Sequence, residues 1–278
     1  MKSKTPLYNI TVAGKTDGFG CQLNAKLSGI ALCVNDPKYR YVHTPFTTIS
    51  HGMNNYVDEI NRWMNFPYSG RRIHKTYKRI AKVHENPAHW YNNKALTELR
   101  TWFWRAPSDK TVVDIDIAVH IRRGDVYPAS QAKGRKVCPV TSGRYQSNKW
   151  YNKKIPEIAS NYPDSYLINI YSEGNVEDFI SIADGWPLDL KQRLNFRLAP
   201  VSHSPNWSKI DEVSLCNFHN HQYNMLTAWH HLVCAKVLVQ AKSGLSYTAG
   251  IYNENDVWFT PGSRSTGQRL PLNHWKIT

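Results

Sequence analysis

The segment Val119-His120-Ile121-Arg122-Arg123-Gly124-Asp125 closes the clearest strand-like run of the chain, Thr111 to Ile121, and brings one imidazole and two guanidiniums to a strand end. In an open parallel sheet, ligands bind in the crevice beyond the carboxyl ends of the strands. Side chains alternate along a strand, so Ile115, Ile117, Val119 and Ile121 share one face, while Asp114, Asp116, His120 and Arg122 share the other. His120 and Arg122 are therefore expected to point together into the crevice. Arg123 is expected to point the opposite way, where Asp125 could pair with it. A guanidinium holds two phosphate oxygens at once with a charge that never titrates away, which makes Arg122 the better phosphate ligand.

Two loops offer backbone amides to an anion. Thr16-Asp17-Gly18-Phe19-Gly20-Cys21-Gln22 lies between a strand-like and a helix-like segment. There, glycines let the backbone approach a ligand, and a helix start favours negative charge. Lys242-Ser243-Gly244-Leu245-Ser246 repeats the arrangement in the last third, with hydroxyls and amides able to donate to phosphate oxygens. Its plainer alternative is an ordinary helix N-cap.

Metal chemistry finds little support in the spacing. Asp114-Ile115-Asp116 imitates a DxD motif, but it reads as part of a strand, and the run from Asp116 to His120 spans roughly 13 Å, too far for a shared ion. The pairs His219/His221 and His230/His231 lack a third ligand at credible spacing.

Strand-like and helix-like segments alternate around these residues, the pattern of parallel sheets covered by helices. Strands are expected at Leu7 to Ala13, Tyr39 to His43, Ser165 to Tyr171 and Lys236 to Gln240. Helices are expected at Gln22 to Val34, Asn55 to Met64, Tyr91 to Trp104, Trp150 to Ser160, Val176 to Ala183, Gln222 to Ala235 and, after a turn, within Lys242 to Tyr252. The segment from Pro128 to Asn148 is basic and aperiodic and reads as a mobile loop. The polar interruption Arg105-Ala106-Pro107-Ser108-Asp109-Lys110 suggests an N-terminal domain over 1–108 and a C-terminal domain over 109–278.

Composition narrows the classes. The 278 residues are 41% hydrophobic and 20% charged, which excludes a disordered chain. No run approaches the apolar length of a membrane span, and no apolar segment follows the first lysines as in a signal peptide, so a soluble, cytoplasmic protein is expected. The net charge of +14 favours anionic partners. It is scattered (Arg71-Arg72, Arg122-Arg123, Lys133 to Lys136, Lys153-Lys154) instead of forming a basic arm, so a local anion site is favoured over nucleic acid. The 5 cysteines form no CxxC and read as reduced thiols. The sequons at Asn9 and Asn206 mean little without a secretory signal.

Taken together, these pieces resemble the fucosyltransferase superfamily. His-Ile-Arg-Arg-Gly-Asp at 120–125 is similar to its HxRRxD signature. Gly18-Phe19-Gly20-Cys21-Gln22 resembles its N-terminal glycine loop, Ile170-Tyr171-Ser172-Glu173 its second motif, and Val237-Leu238-Val239 leading to Ser243-Gly244-Leu245-Ser246 its third. The resemblance implies a GT-B type α/β fold with two Rossmann-like domains facing across a cleft. It also implies a metal-independent, inverting glycosyltransferase with a nucleotide-sugar donor, needing no cofactor. By position, Arg122 would bind the donor's β-phosphate, His120 would contact the nucleoside end, and Ser243 and Ser246 would line the diphosphate, with an oligosaccharide or glycoconjugate as acceptor.

Two departures stand out. Cys21 replaces the usual Asn of the glycine loop, and Ala228-Trp229 stands where some members carry an acidic residue that pairs with guanine. Guanine readout wants a carboxylate for its N1 and N2 donors. The donor is therefore GDP-fucose by resemblance, or a uridine-based sugar such as UDP-xylose by the missing carboxylate. Deprotonating the acceptor requires a base. Asp17, which matches the acidic base of one protein O-fucosyltransferase type, is the candidate, its other reading being a turn residue before Gly18. Glu173 is the reserve. A non-catalytic carbohydrate- or nucleotide-binding protein on the same scaffold is the alternative to an enzyme.

Overall fold

The computed structural model describes residues 8–13, 15–49, 57–66, 74–75, 80–105, 110–124, 126, 143–199, 225–262 and 269–278. The chain divides into two units, Met1–Val112 with Arg269–His274, and Val113–Gln268 with Trp275–Thr278. The division thus falls after Val112, where the sequence suggested 108, and a short C-terminal stretch returns to the first unit.

The first unit runs β1 (Tyr8–Thr11), α1 (Phe19–Asn35), β2 (Tyr39–Tyr41), α2 (Val57–Met64), β3 (His74–Lys75), α3 (Ile80–Glu85), α4 (Pro87–Trp90) and α5 (Asn93–Arg105). Its sheet is parallel in the order β2-β1-β3. Helix α1 starts three residues before the predicted Gln22, at Phe19, so the latter half of the glycine loop is helical. Phe19 is the reason: it is buried and packs its ring 6.0 Å from that of Phe46, which draws the first turn into the core. The helix ends before Pro37, which pushes Asp36 out of the helical region (φ −122°, ψ 103°).

The second unit runs β4 (Ile117–His120), α6 (Asn148–Ala159), β5 (Ile168–Glu173), two short 3-10 turns, α7 (Leu188–Gln192), β6 (Leu194–Ala199), α8 (Met225–Cys234), β7 (Val237–Val239), α9 (Gly244–Tyr252), β8 (Asp256–Phe259) and β9 (Lys276–Ile277). Its 6 strands are all parallel in the order β6-β5-β4-β7-β8-β9. Counted from β4, this is the 3-2-1-4-5-6 order of a doubly wound dinucleotide-binding fold. The expected α/β class with parallel sheets is therefore what the chain adopts. All four residues of β4 are buried, as a central parallel strand requires. Ile117, Val119 and Ile121 pack with Tyr151, Ile155, Ile168, Ile170 and Val239 in one core, so the predicted parity of this strand holds.

The strand predicted from Thr111 is shorter than the pattern suggested. Only Ile117–His120 is strand; just before it, the carboxylates of Asp114 and Asp116 lie 2.8 and 2.7 Å from the Lys236 ammonium. Strands β6, β8 and β9 were not expected from the pattern. The predicted helix at Val176 to Ala183 is a pair of 3-10 turns, Val176–Asp178 and Ile180–Ala183. Expectations for Leu7, Gly14, Asn55, Arg71-Arg72, Asp125, most of the Pro128 to Asn148 loop, Cys138, Asn206, Cys216, His219/His221 and Gln222 fall outside the described residues. Among the described residues, no helix is long and apolar enough to cross a membrane.

Candidate functional site

Strand order in the second unit selects one place. Winding reverses between β4 and β7, and at such a switch point the two outgoing connections part and leave a crevice beyond the strand ends. The β4 end carries His120 and Arg122, and the β7 end leads through Gln240, Ala241 and Lys242 to Ser243 and helix α9. The strand pairing Val119↔Val239 sets these two exits side by side.

His120 continues the buried row of β4 and is 5% exposed, with a ring Nδ1 that has no hydrogen-bond partner. Burial, and then the charge of Arg122, pull its pKa down to about 3, so the imidazole is neutral at physiological pH. Gln240, the residue after β7, is 1% exposed, and neither its Oε1 nor its Nε2 has a partner. A buried polar atom without a partner forfeits about 1–3 kcal/mol. The Gln240 amide lies under α9 against Gly250, so it is the unpartnered His120 at the end of β4 that marks a place where a polar ligand would complete the bonding. Sequence reasoning overlooked Gln240. The available signal was an amide ending an apolar strand at the same parity as Leu238.

Arg122 is half-buried, and its charge is felt by His120. Arg123 points the other way, as the alternation predicts, but its partners were not foreseen. Its Nη2 donates to Asn148 Oδ1 at 2.8 Å and its Nη1 to the Arg122 carbonyl at 3.0 Å. The guanidinium lies 4.5 Å from the Tyr145 ring centroid and 5.9 Å from those of Tyr151 and Phe179. Arg123 thus ties the strand end to the start of α6.

The β5 end supports this turn. Ser172 Oγ donates to the Ile121 carbonyl at 2.8 Å, and the Ile121 amide donates to the Tyr171 carbonyl at 2.8 Å. Glu173, the last residue of β5, sits against Gly124, whose φ of +76° is left-handed. The reserve base is therefore packed into the turn that carries Arg122.

At α9, Ser243 acts as the N-cap: its Oγ accepts from the Leu245 amide at 3.2 Å. This is the plainer of the two readings of that serine, and it leaves Gly244 to open the helix. Ser246 is fully buried, and its hydroxyl donates to the Ala241 carbonyl at 3.3 Å, which ties the first turn of α9 to the loop before it. Trp229, near the expected guanine-reading position, is wholly buried, with its indole N–H donating to Thr248 Oγ1 at 3.1 Å, which makes it a pillar between α8 and α9. Next to it, His231 Nδ1 lies 3.0 Å from the Tyr171 hydroxyl.

The remaining expected residues belong to the first unit. Gly18 is the N-cap of α1 with an ordinary extended backbone (φ −60°, ψ 157°), and Gly20 is buried in the first helical turn. Asp17 is exposed and ion-paired with Lys15, and its carbonyl accepts from Gln22 Nε2 at 2.6 Å. The Asp114–Asp116 pair is committed to Lys236, and Asp116 also accepts from the Leu167 amide at 3.0 Å. Among the described residues, no group of three or more His, Cys, Asp or Glu could hold a metal ion.

No family model matches the sequence, and no curated protein matches it. Among solved structures, the chain is similar to E. coli heptosyltransferase WaaC with ADP, at a TM-score of 0.41 and 10% sequence identity, over 98% of this chain and 90% of that one.

Proposed function

We propose that the protein is an inverting, metal-independent glycosyltransferase that moves a sugar from a nucleoside-diphosphate donor to a hydroxyl acceptor such as an oligosaccharide or glycoconjugate. The observation that carries this reading is the switch point. There, a half-buried arginine and a neutral buried imidazole leave β4 beside the capped start of α9, in a sheet with the dinucleotide-binding order. Arg122 supplies fixed positive charge where a departing diphosphate gains negative charge. The first-turn amides of α9 not taken by the Ser243 cap add donors of the same sign, since a helix cannot pair them internally. His120, kept neutral, offers its Nδ1 to the nucleoside end.

Asp17 is the proposed base and Glu173 the reserve. Asp17 is the more available, since it is exposed while Glu173 is half-buried beside Gly124. The donor has two readings. GDP-fucose follows from the motif resemblance, and a UDP-sugar such as UDP-xylose from the missing carboxylate.

A thermal-shift screen of the protein against GDP, UDP and their common sugar conjugates tests the reading. Stabilisation by one nucleoside diphosphate and its sugar conjugate, reduced in Arg122→Ala, is the expected result. Equal melting of wild type and Arg122→Ala with every nucleotide would sink it. Stabilisation without donor consumption in the presence of mixed glycan acceptors would favour the non-catalytic binder on the same scaffold.

A further inference from the structure

Helix α1 buries a cation. Lys26 is 3% exposed, on a helix whose other inward residues include Leu23, Leu27 and Ile30. Its ammonium donates to the carbonyls of Val12, at 3.3 Å, and Thr44, and sits 4.7 Å from the Phe46 ring centroid. Among the described residues, no carboxylate lies within ion-pairing distance of it, and the nearby Asp17 is taken by Lys15. The neighbouring His43 is itself buried, and burial followed by the charge of Lys26 holds its pKa down to about 3.

This cation borders a pocket of about 60 Å³ formed within the first unit by Gln22, Lys26, Thr44 and the more exposed Lys15 and Thr47, together with the β1 exit at Val12 and Ala13. Its polar side chains are neutral or basic, Val12, Ala13 and Pro45 complete the lining, and none of the lining residues is acidic. Gln22 is held in place by donating through Nε2 to the carbonyls of Asp17 and Thr48, at 2.6 and 2.7 Å. A buried ammonium without a counter-ion is costly, and the fold tolerates it where a ligand of opposite charge completes the pair.

We infer that this pocket binds the carboxylate of a small acidic ligand, with Lys26 as the ion-pair partner and Gln22, Thr44 and Thr47 as the surrounding polar wall. A carboxylate is favoured over phosphate because a single deeply buried charge matches a monoanion, and the second lysine of the lining is already paired with Asp17. Burial lowers the Lys26 pKa to about 8, and an anion in the pocket would raise it again. If the transferase reading holds, the ligand is the acceptor, and the substrate class becomes a uronic or similarly acidic sugar. That clause rests on the preceding subsection, but the binding itself does not.

The experiment follows the Lys26 Cε resonance in protein carrying ¹³C-lysine, titrated with acetate, glucuronate, inorganic phosphate and glucose, with no donor present. Acetate and glucuronate are expected to move the resonance saturably and to shift its titration upward from about 8. Glucose is expected to leave it still. Thr47→Asp places a carboxylate in the same pocket from an exposed position, so it is expected to raise the Lys26 pKa without ligand and to weaken glucuronate binding about tenfold or more. Lys26→Met is expected to abolish the response, and if that variant does not fold, the Thr47 variant carries the test. A resonance indifferent to carboxylates, one that responds equally to glucose, or one that responds only to phosphate overturns the inference. The donor screen does not touch Lys26, so either reading can fail without the other.

Discussion

The carboxylate of Glu173 occupies the space that any side chain on Gly124 would need: a Cβ built on Gly124 would fall 1.7 Å from Glu173 Oε2 and 2.9 Å from its carboxyl carbon. Glu173 ends β5 and Gly124 lies in the turn that follows its neighbour β4, so the arginine turn and the acidic residue of β5 are fitted to one another. Gly124 also has φ +76°, which strains an L-residue regardless of space. Gly124→Ala is expected to lower stability by about 1–3 kcal/mol. The added methyl displaces the flexible end of Glu173, and the left-handed strain falls two residues after Arg122, so nucleotide binding is also expected to weaken. Urea unfolding alongside nucleotide-dependent melting checks both effects.

Arg122→Ala should separate function from folding. The residue is half-buried at the strand end, whereas the core beneath it is built by Ile117, Val119 and Ile121. Sugar transfer is expected to fall about 100- to 1,000-fold, the usual loss when one preorganised donor to a developing charge is removed. The melting temperature should stay near that of wild type. Retained turnover with the matching donor would contradict the role.

Arg123→Lys is expected to show the opposite pattern. Lysine keeps the charge but cannot reproduce a planar fork that reaches Asn148 Oδ1 while lying over Tyr145. Stability should drop by about 1–3 kcal/mol, the range for losing a charged hydrogen bond in a partly buried setting. The intrinsic contacts of Arg122 with nucleotide should persist in the folded fraction. Chemical denaturation combined with nucleotide titration distinguishes this outcome from that of the Arg122 variant.

Stability should depend on pH through two buried histidines. His120 and His43 have pKa values lowered to about 3, in both cases chiefly by burial, against an ordinary value of about 6.5. Below about 6.5 the unfolded chain takes up protons that the native state refuses, so the stability present above that pH is lost progressively as pH falls toward about 3. Each histidine contributes a slope of up to about 1.4 kcal/mol per pH unit. Denaturant midpoints measured from pH 7 to pH 5 should decline, and His43→Gln should flatten the decline.

The Asp114–Asp116 pair is expected to matter for structure and not for metal. Asp116→Asn removes one of two carboxylates bound to Lys236 at the amino end of β4, far along the strand from Arg122. A slightly lower melting temperature with unchanged donor binding is the expected result. Transfer should survive a chelator, and activity restored only by added divalent cation would overturn the metal-independent mechanism.

What the sequence determined by itself was the local and alternating part of the protein. Apolar alternation located the β4 core and assigned Arg122 and Arg123 to opposite sides, because side-chain direction along a strand depends only on residue parity. Helical periodicity found α1, α5, α6 and α8 to within a few residues. Tertiary structure decided the rest, for reasons of neighbourhood. Strands β8 and β9 are short, 4 and 2 residues, and they exist because β7 offers an edge to β8 and β8 in turn offers one to β9. Phe19 joined a helix because Phe46 was there to pack against, and the DxD pair became an ion pair because Lys236, 120 residues away from Asp116, arrives beside it. Burial did the same for ionisation. Nothing in the string of letters distinguishes Lys26 or His43 from their exposed counterparts until the fold removes the water that would have kept them ordinary.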